Sequence, residues 1–274
     1  MRGRSRFPTT AGHAPPIVYS GRMRLEAGQQ AFFAEHGWLV VRGAVPPARV
    51  AELEAAVDAV YRAHAPALPG QVWEVAGVSR LSPPIAEHAH DAAIARHAAE
   101  ALGCASIKLL QDTVLVKAAT IGGAVAWHQD HTYTGYLDPA RIVSVRLSLT
   151  PCTRDNGCLE VIDASHTWGL LGDVRALTET HVADALGPEA ARWRDRVVHL
   201  ELAPGDLSIH HCLTLHGSAA NRSPHTRKTL ITRAFDASCR LVRDRLPAGA
   251  EAYFPVDDHG QLAAPAFPVI YRAA

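Results

Sequence analysis

The sequence predicts a mainly β domain with flanking helices, a double-stranded β-helix (a cupin-like jelly roll) with N-terminal helices packed outside the barrel. Three observations lead there. Helical periodicity is concentrated in the first hundred or so of the 274 residues. From Ile107 the texture changes to about eight short β-like runs separated by turn residues. One long helical insertion, residues 170–196, interrupts the runs.

Taken in order, residues 26–36 (EAGQQAFFAEH) read as a short helix stopped by Gly37, and WLVVRGAV reads as a strand. Pro46-Pro47 opens a second helix on which Val50, Leu53, Val57 and Val60 recur at helical spacing. The Pro- and Gly-rich stretch 66–84 reads as a loop carrying Trp73 and Arg80. A third helix over about 91–102 ends at Gly103. Then follow LLQDTVLVKA, RIVSVRLSLT, GCLEVI, VVHLEL, GDLSIHHC and RKTLITRAF, with Asn156-Gly157 between two of these runs as a hairpin signal. The expected organisation is a flexible tail over 1–20 and one domain over 21–274. That domain divides into a helical part (21–106), a jelly-roll core (107–236) and a C-terminal extension (237–274).

The 27 basic and 27 acidic side chains balance to a net charge of +0, which argues against nucleic acid or an anionic membrane as main partner. With 48% hydrophobic and 20% charged residues the chain is globular. Five cysteines without a C-x-x-C pair make a poor disulfide framework and read as scattered thiols. No stretch approaches the ~18 apolar residues of a membrane span, and MRGRSRFPTTAGHAPP lacks the apolar core of a signal peptide, so a cytoplasmic location is expected.

The candidate chemistry lies among the 16 histidines. AVAWHQDHTY places His128 and Asp130 two residues apart. On a strand they would share a face, so that imidazole and carboxylate converge. His216, from a later strand, would complete two histidines and a carboxylate, a facial set with open positions that suits non-heme Fe(II). Arg227 follows His216 at the start of the next strand. A guanidinium deep in a barrel is costly unless it holds a carboxylate, and its planar fork suits one end of a dicarboxylate.

W-H-Q-D at 127–130, N-G-C-L at 156–159, S-H at 165–166 followed by Trp168, G-D at 205–206, and H-G-S-x-x-N-x-S-x-x-x-R from His216 to Arg227 resemble the phytanoyl-CoA dioxygenase family. That family is a branch of the Fe(II)- and 2-oxoglutarate-dependent oxygenases. The resemblance covers roughly residues 30–236. It implies that His128, Asp130 and His216 bind iron and are the catalytic set. Arg227 and Ser218 would hold the distal carboxylate of 2-oxoglutarate, with Gln129 and Thr113 as flanking contacts and O2 as second co-substrate. The implied reaction hydroxylates an unactivated C–H and releases succinate and CO2. The carboxylate of Asp130 favours hydroxylation or desaturation over halogenation.

Several residues stay open. Lys117 shares a face with Thr113 and Leu115, and points either into the pocket or to solvent. Arg146 departs from the bulky apolar residue often found there in the family. It shares a face with Ser144 and Ser148, opposite Val143, Val145, Leu147 and Leu149, and that face is either solvent or a polar wall where Arg146 binds a carboxylate. His131, Tyr133 and Tyr136 are candidates for the substrate mouth; Trp73, Arg80, Trp168 and Trp193 would suit an apolar, anionic molecule of medium size. No basic cluster suits the phosphates of an acyl-CoA, so a small specialised metabolite is the expected partner. The oligomeric state is left open. A cupin-like binder of metal and carboxylate without turnover, or a zinc hydrolase on the same ligands, are the alternatives.

Overall fold

The computed structural model describes residues 24–64, 72–171 and 193–273. The expected tail over 1–20, the start of the 66–84 stretch and most of the 170–196 insertion lie outside these residues. The chain opens with α1 (Ala27–His36), which Gly37 ends in the left-handed region at φ 76°. Strand β1 (Trp38–Val41) and helix α2 (Pro47–His64) follow, and α2 buries Val50, Leu53, Val57 and Val60 as the periodicity requires. The expected 66–84 loop is corrected in part. Trp73–Ala76 forms strand β2, because the long strand β3 (Ser106–Lys117) offers it a paired edge. Helices α3 (Pro83–Ala89) and α4 (Ala92–Leu102) complete the N-terminal part.

The β series continues with β4 (Val125–His128), the one-turn helix α5 (His131–Thr134), β5 (Leu137–Asp138), β6 (Ile142–Ser148) and β7 (Leu159–Ile162). It closes with β8 (Val197–Leu200), β9 (Leu207–His211), β10 (His216–Ser218), β11 (Arg227–Asp236), β12 (Arg240–Leu241) and β13 (Val269–Arg272). Two sheets form the jelly roll. The large one runs β1-β9-β6-β11-β3-β13 with β2 added on β3, and the small one runs β4-β10-β7-β8. All of these pairings are antiparallel. Among the described residues no helix is long and apolar enough to cross a membrane.

Asn156-Gly157 does not make a hairpin. The strands on either side, β6 and β7, belong to different sheets, so the turn carries the chain from one to the other. Asn156 holds it by accepting from Thr153 N at 2.8 Å and donating to Pro151 O at 2.7 Å. Gly157 sits at φ +71° against the Ala219 carbonyl, where a Cβ would collide.

Strand alternation divides the large sheet into two unlike faces. Outward, Val114, Val116, Val143, Val145, Leu147, Leu207, Ile209 and Leu230 pack in one core with Leu53, Val57, Ile94 and Ala98 of the helices. Inward, the registered strands form rows. One row reads His210, Ser144, Arg233, Gln111; the next reads Ser208, Arg146, Ile231, Thr113; two rows beyond, Arg227 pairs with Lys117. The barrel interior is therefore polar and cationic.

Candidate metal centre

The small sheet brings the two histidines together by register: His128 on β4 lies opposite His216 on β10, with ring centroids 4.2 Å apart. Each ring is anchored on a backbone carbonyl, Nδ1 of His128 on Ala126 O at 2.8 Å and Nδ1 of His216 on Thr214 O at 2.9 Å. A carbonyl can only accept, so Nδ1 carries the proton and Nε2 presents a lone pair.

Asp130 reaches the same point by a different route from the expected one. It is not on the strand. β4 ends at His128, and Asp130 has αR geometry (φ −56°, ψ −32°) at the start of α5. The chain turns back under the histidines, and the carboxylate converges through that turn rather than through strand parity. Its Oδ1 lies 3.7 Å from His128 Nε2 and 3.9 Å from His216 Nε2, and the three ligand atoms fall within 4.8 Å of one another.

A network from the large sheet fixes the carboxylate. Ser144 Oγ donates to Oδ2 at 2.6 Å, His210 Nε2 lies 3.3 Å from Oδ2, and Arg233 donates to Oδ1 at 3.2 Å. Arg233 also donates to Ser144 Oγ at 3.2 Å and to Gln111 Oε1 at 2.8 Å. Burial opposes ionisation of Asp130, but Arg233, helped by the surrounding histidines, overcomes it and holds the carboxyl well below the usual range. Burial, reinforced by His128 and His210, lowers the pKa of His216 well below the ordinary histidine value. An ionised carboxylate beside a neutral imidazole is the protonation state that metal coordination needs.

These residues face a cavity of about 490 Å³ also lined by Glu74, Gln111, Tyr133, Tyr136, Arg146, Ser218 and Arg233. Arg227 is buried opposite Lys117 on the paired strand and does not itself line this cavity. One of its NH groups donates to Gly157 O, while Nε and the other NH nitrogen are buried without a partner. Lys117 is inward and fully buried, which corrects the solvent alternative. Its Nζ donates to Ser218 Oγ at 2.7 Å, Ser218 O at 3.3 Å and Ala219 O. Burial, then the charges of Arg227 and Arg146, bring its pKa down to about 7.

The other expected contacts lie elsewhere. Gln129 turns away from the cavity, donating to Gly169 O at 2.9 Å and Leu213 O at 2.7 Å and accepting from Leu171 N at 2.8 Å. His131 is buried in α5 and does not line the cavity. Thr113 is inward, but its hydroxyl is buried without a partner and off the lining. Trp73 has the outward parity of β2; it packs on Tyr61 at 5.0 Å and donates to His64 O at 3.0 Å. Arg80 is exposed and folds over Gly77. Trp168 stacks under Arg196 at 5.4 Å, beside the packed pair Trp127 and Trp193. Arg233, Ser144, Gln111 and Glu74 were not anticipated. Arg233 had a signal, since an even spacing from Arg227 along one strand puts it on the same inward face.

The model of the phytanoyl-CoA dioxygenase family matches residues 33–229, well over half of the chain. The chain belongs to the phytanoyl-CoA dioxygenase family. Phytanoyl-CoA dioxygenase 1 of Oryza sativa subsp. japonica is 34% identical over 129 residues, 47% of this chain and 44% of the relative. Phytanoyl-CoA dioxygenase domain-containing protein 1 of Mus musculus is 29% identical over 140 residues, 50% of this chain and 48% of the relative. The matched stretch thus spans about half the length of these curated relatives. Among solved structures, the non-heme alpha ketoglutarate dependent carbocyclase SnoK from nogalamycin biosynthesis superposes with TM-score 0.74 at 21% identity, over 89% of this chain and 96% of SnoK. EctD from S. alaskensis with 2-oxoglutarate and 5-hydroxyectoine gives 0.65 at 24%, over 83% of each chain. These likenesses establish the jelly-roll fold. The phytanoyl-CoA dioxygenase family is one of Fe(II)- and 2-oxoglutarate-dependent oxygenases, and the donor set of this member suits both groups: two imidazoles and a carboxylate for a metal, and unpartnered Arg227 nitrogens for an anion.

Proposed function

We propose that this chain is an Fe(II)- and 2-oxoglutarate-dependent dioxygenase that hydroxylates an unactivated C–H of a small molecule, with release of succinate and CO2. The observation that carries the reading is the convergence of His128, Asp130 and His216 on one point of a cavity, with two unpartnered guanidinium nitrogens of Arg227 buried farther along the same inner face of the large sheet. His128, Asp130 and His216 would hold the iron on one side, leaving the remaining positions open for co-substrates. When bound, the iron and 2-oxoglutarate together supply O2 activation.

The rest is the work of this chain's own side chains. Arg227 and Ser218 receive the distal carboxylate. Lys117 donates to Ser218 Oγ, which leaves the hydroxyl proton free to be donated onward. Ser144 and Arg233 hold Asp130 so that it presents Oδ1 toward both histidines. Tyr133 and Tyr136 stand on the cavity wall, where they orient the substrate. Gln129 has another task, pinning the backbone of Gly169 and Leu171 where the insertion begins.

Succinate formation from 2-oxoglutarate that requires both Fe(II) and O2 tests the class. No succinate with any small-molecule substrate would favour the non-catalytic binder, and activity under anaerobic conditions would favour a hydrolase. Labelling with 18O2 tests the outcome. Hydroxylation places one labelled atom in the product, whereas desaturation, cyclisation or epimerisation places none.

A further inference from the structure

We infer that Arg146 anchors a second carboxylate site inside the barrel, two rows of the large sheet nearer the metal ligands than Lys117 and Arg227 and distinct from the Arg227 site. The inference rests on reading the barrel interior as the active site of an oxygenase. Arg146 is 8% exposed and lines the cavity, yet it has no hydrogen bond or ion pair among the described residues. The other inward cations differ. Lys117 spends its three N–H groups on Ser218 and Ala219. Arg233 is engaged by Asp130, Gln111 and Ser144. Arg227 is tied to Gly157 O by one nitrogen.

The row around Arg146 also holds unpartnered hydroxyls, which lie off the cavity lining. Ser208, its registered neighbour on β9, has a buried hydroxyl without a partner. Thr113, on the far side of Ile231, has another. Neighbouring strands are about 4.8 Å apart, so these groups fall on one transverse line across the inner face. The adjoining row, His210–Ser144–Arg233–Gln111, is built on the same strands, and there Ser144, Arg233 and Gln111 are tied into the Asp130 network. The contrast isolates what Arg146 lacks, which is an acceptor oxygen within bonding distance, although Glu74 stands on the same cavity. Buried donors without acceptors are costly, and the cost is relieved when an acceptor-rich group arrives.

The missing group is an anion. Burial, followed by the charge of Arg227, brings the Arg146 guanidinium down to about 10; Glu74 and Asp130 on the same cavity act the other way but neither forms an ion pair with it, so its fork stays open to an anion. Its planar fork matches two coplanar oxygens, the geometry of a carboxylate. The row lies between that of Asp130's partners and that of Arg227. It can therefore serve the metal-side carboxylate of 2-oxoglutarate or a carboxylate on the substrate, and these two sources are separable.

The test is calorimetric and needs no turnover. Zn(II)-loaded protein is titrated with 2-oxoglutarate and then, with 2-oxoglutarate saturating, with phenylacetate and its neutral analogue phenylacetamide. Arg146→Gln is expected to weaken one of the two acids by at least about ten-fold, with the amide not binding in either protein. Weakening of phenylacetate alone assigns the site to the substrate's carboxylate; weakening of 2-oxoglutarate assigns it to the co-substrate. Binding of both acids to the variant within about two-fold of wild type, or no phenylacetate binding by wild type together with unchanged 2-oxoglutarate affinity, overturns the proposal. Should Arg146→Gln not fold, Arg146→Lys keeps the charge but removes the planar fork, with an expected loss of about three-fold for the same acid, and unchanged affinities again overturn it. Failure of the oxygenase reading would show instead as absence of Fe(II)-dependent succinate while carboxylate binding to the Zn(II) protein persists.

Discussion

The two faces of the large sheet are made by the same strands and obey opposite rules. On the outer face, side chains such as Leu147 and Ile209 are fully buried against the helices, and their contribution is transfer from water and close packing. On the inner face, polar and charged side chains are almost as buried, and several of their atoms lack hydrogen-bond partners: the hydroxyls of Ser208 and Thr113, Nδ1 of His210 and two nitrogens of Arg227. The outer face is complete without a ligand, whereas the inner face is completed by one. Stability therefore resides on one face of a strand and chemistry on the other, one residue apart.

Substitutions can break that comparison, and the largest effect belongs to the inner face. His216→Ala should lower Fe(II)-dependent succinate formation by at least about a thousand-fold while the melting temperature shifts little. Activity assays and calorimetry on the same preparation would check both halves. On the outer face Leu147→Ala should do the reverse, costing about 2–5 kcal/mol in denaturant unfolding while metal and 2-oxoglutarate affinities of the folded protein stay unchanged.

A third substitution concerns pH. Asp130 has a folded-state pKa well below its ordinary value, so its contribution favours folding above the unfolded pKa of about 3.9 and is lost as pH falls below it. Arg233→Gln removes the main cause of that depression. The metal-free variant should therefore lose less stability than wild type on acidification below about pH 4, as read by urea unfolding at a series of pH values. The smallest effect is expected from Ser208→Ala. Deleting a buried hydroxyl that has no partner should change the stability of the ligand-free protein by less than about 1 kcal/mol, or raise it slightly.

Alternation is the part of this fold that was legible in the sequence. Val143, Val145 and Leu147 against Ser144, Arg146 and Ser148 already separated the two faces, and the same parity put Thr113 and Lys117 on one face without saying whether that face was the pocket or solvent. His128 and His216 were legible because a strand context and a motif both pointed to them. Asp130 was found for the wrong geometric reason, since the turn that carries it is held by contacts distant in sequence, including His131 N to Cys212 O at 2.9 Å. Asn156-Gly157 misled because a turn dipeptide specifies a reversal and not which sheet receives the next strand. Trp73 was misplaced because β2 exists only through pairing with β3, and its parity follows from that pairing. Arg233 escaped notice although its even spacing from Arg227 put both on one face of β11, because that parity says nothing of what the side chain meets until the register with Ser144 and Gln111 is known.

The central claim is that His128, Asp130 and His216 form one iron site at which 2-oxoglutarate is also held. Anaerobic absorption spectroscopy addresses it directly, by adding Fe(II) and then 2-oxoglutarate to wild type, His216→Ala and Asp130→Ala. A visible metal-to-ligand band that appears only with both additions, and is lost in both variants, is the predicted result. A band of wild-type intensity in either variant, or none in wild type, would contradict the account.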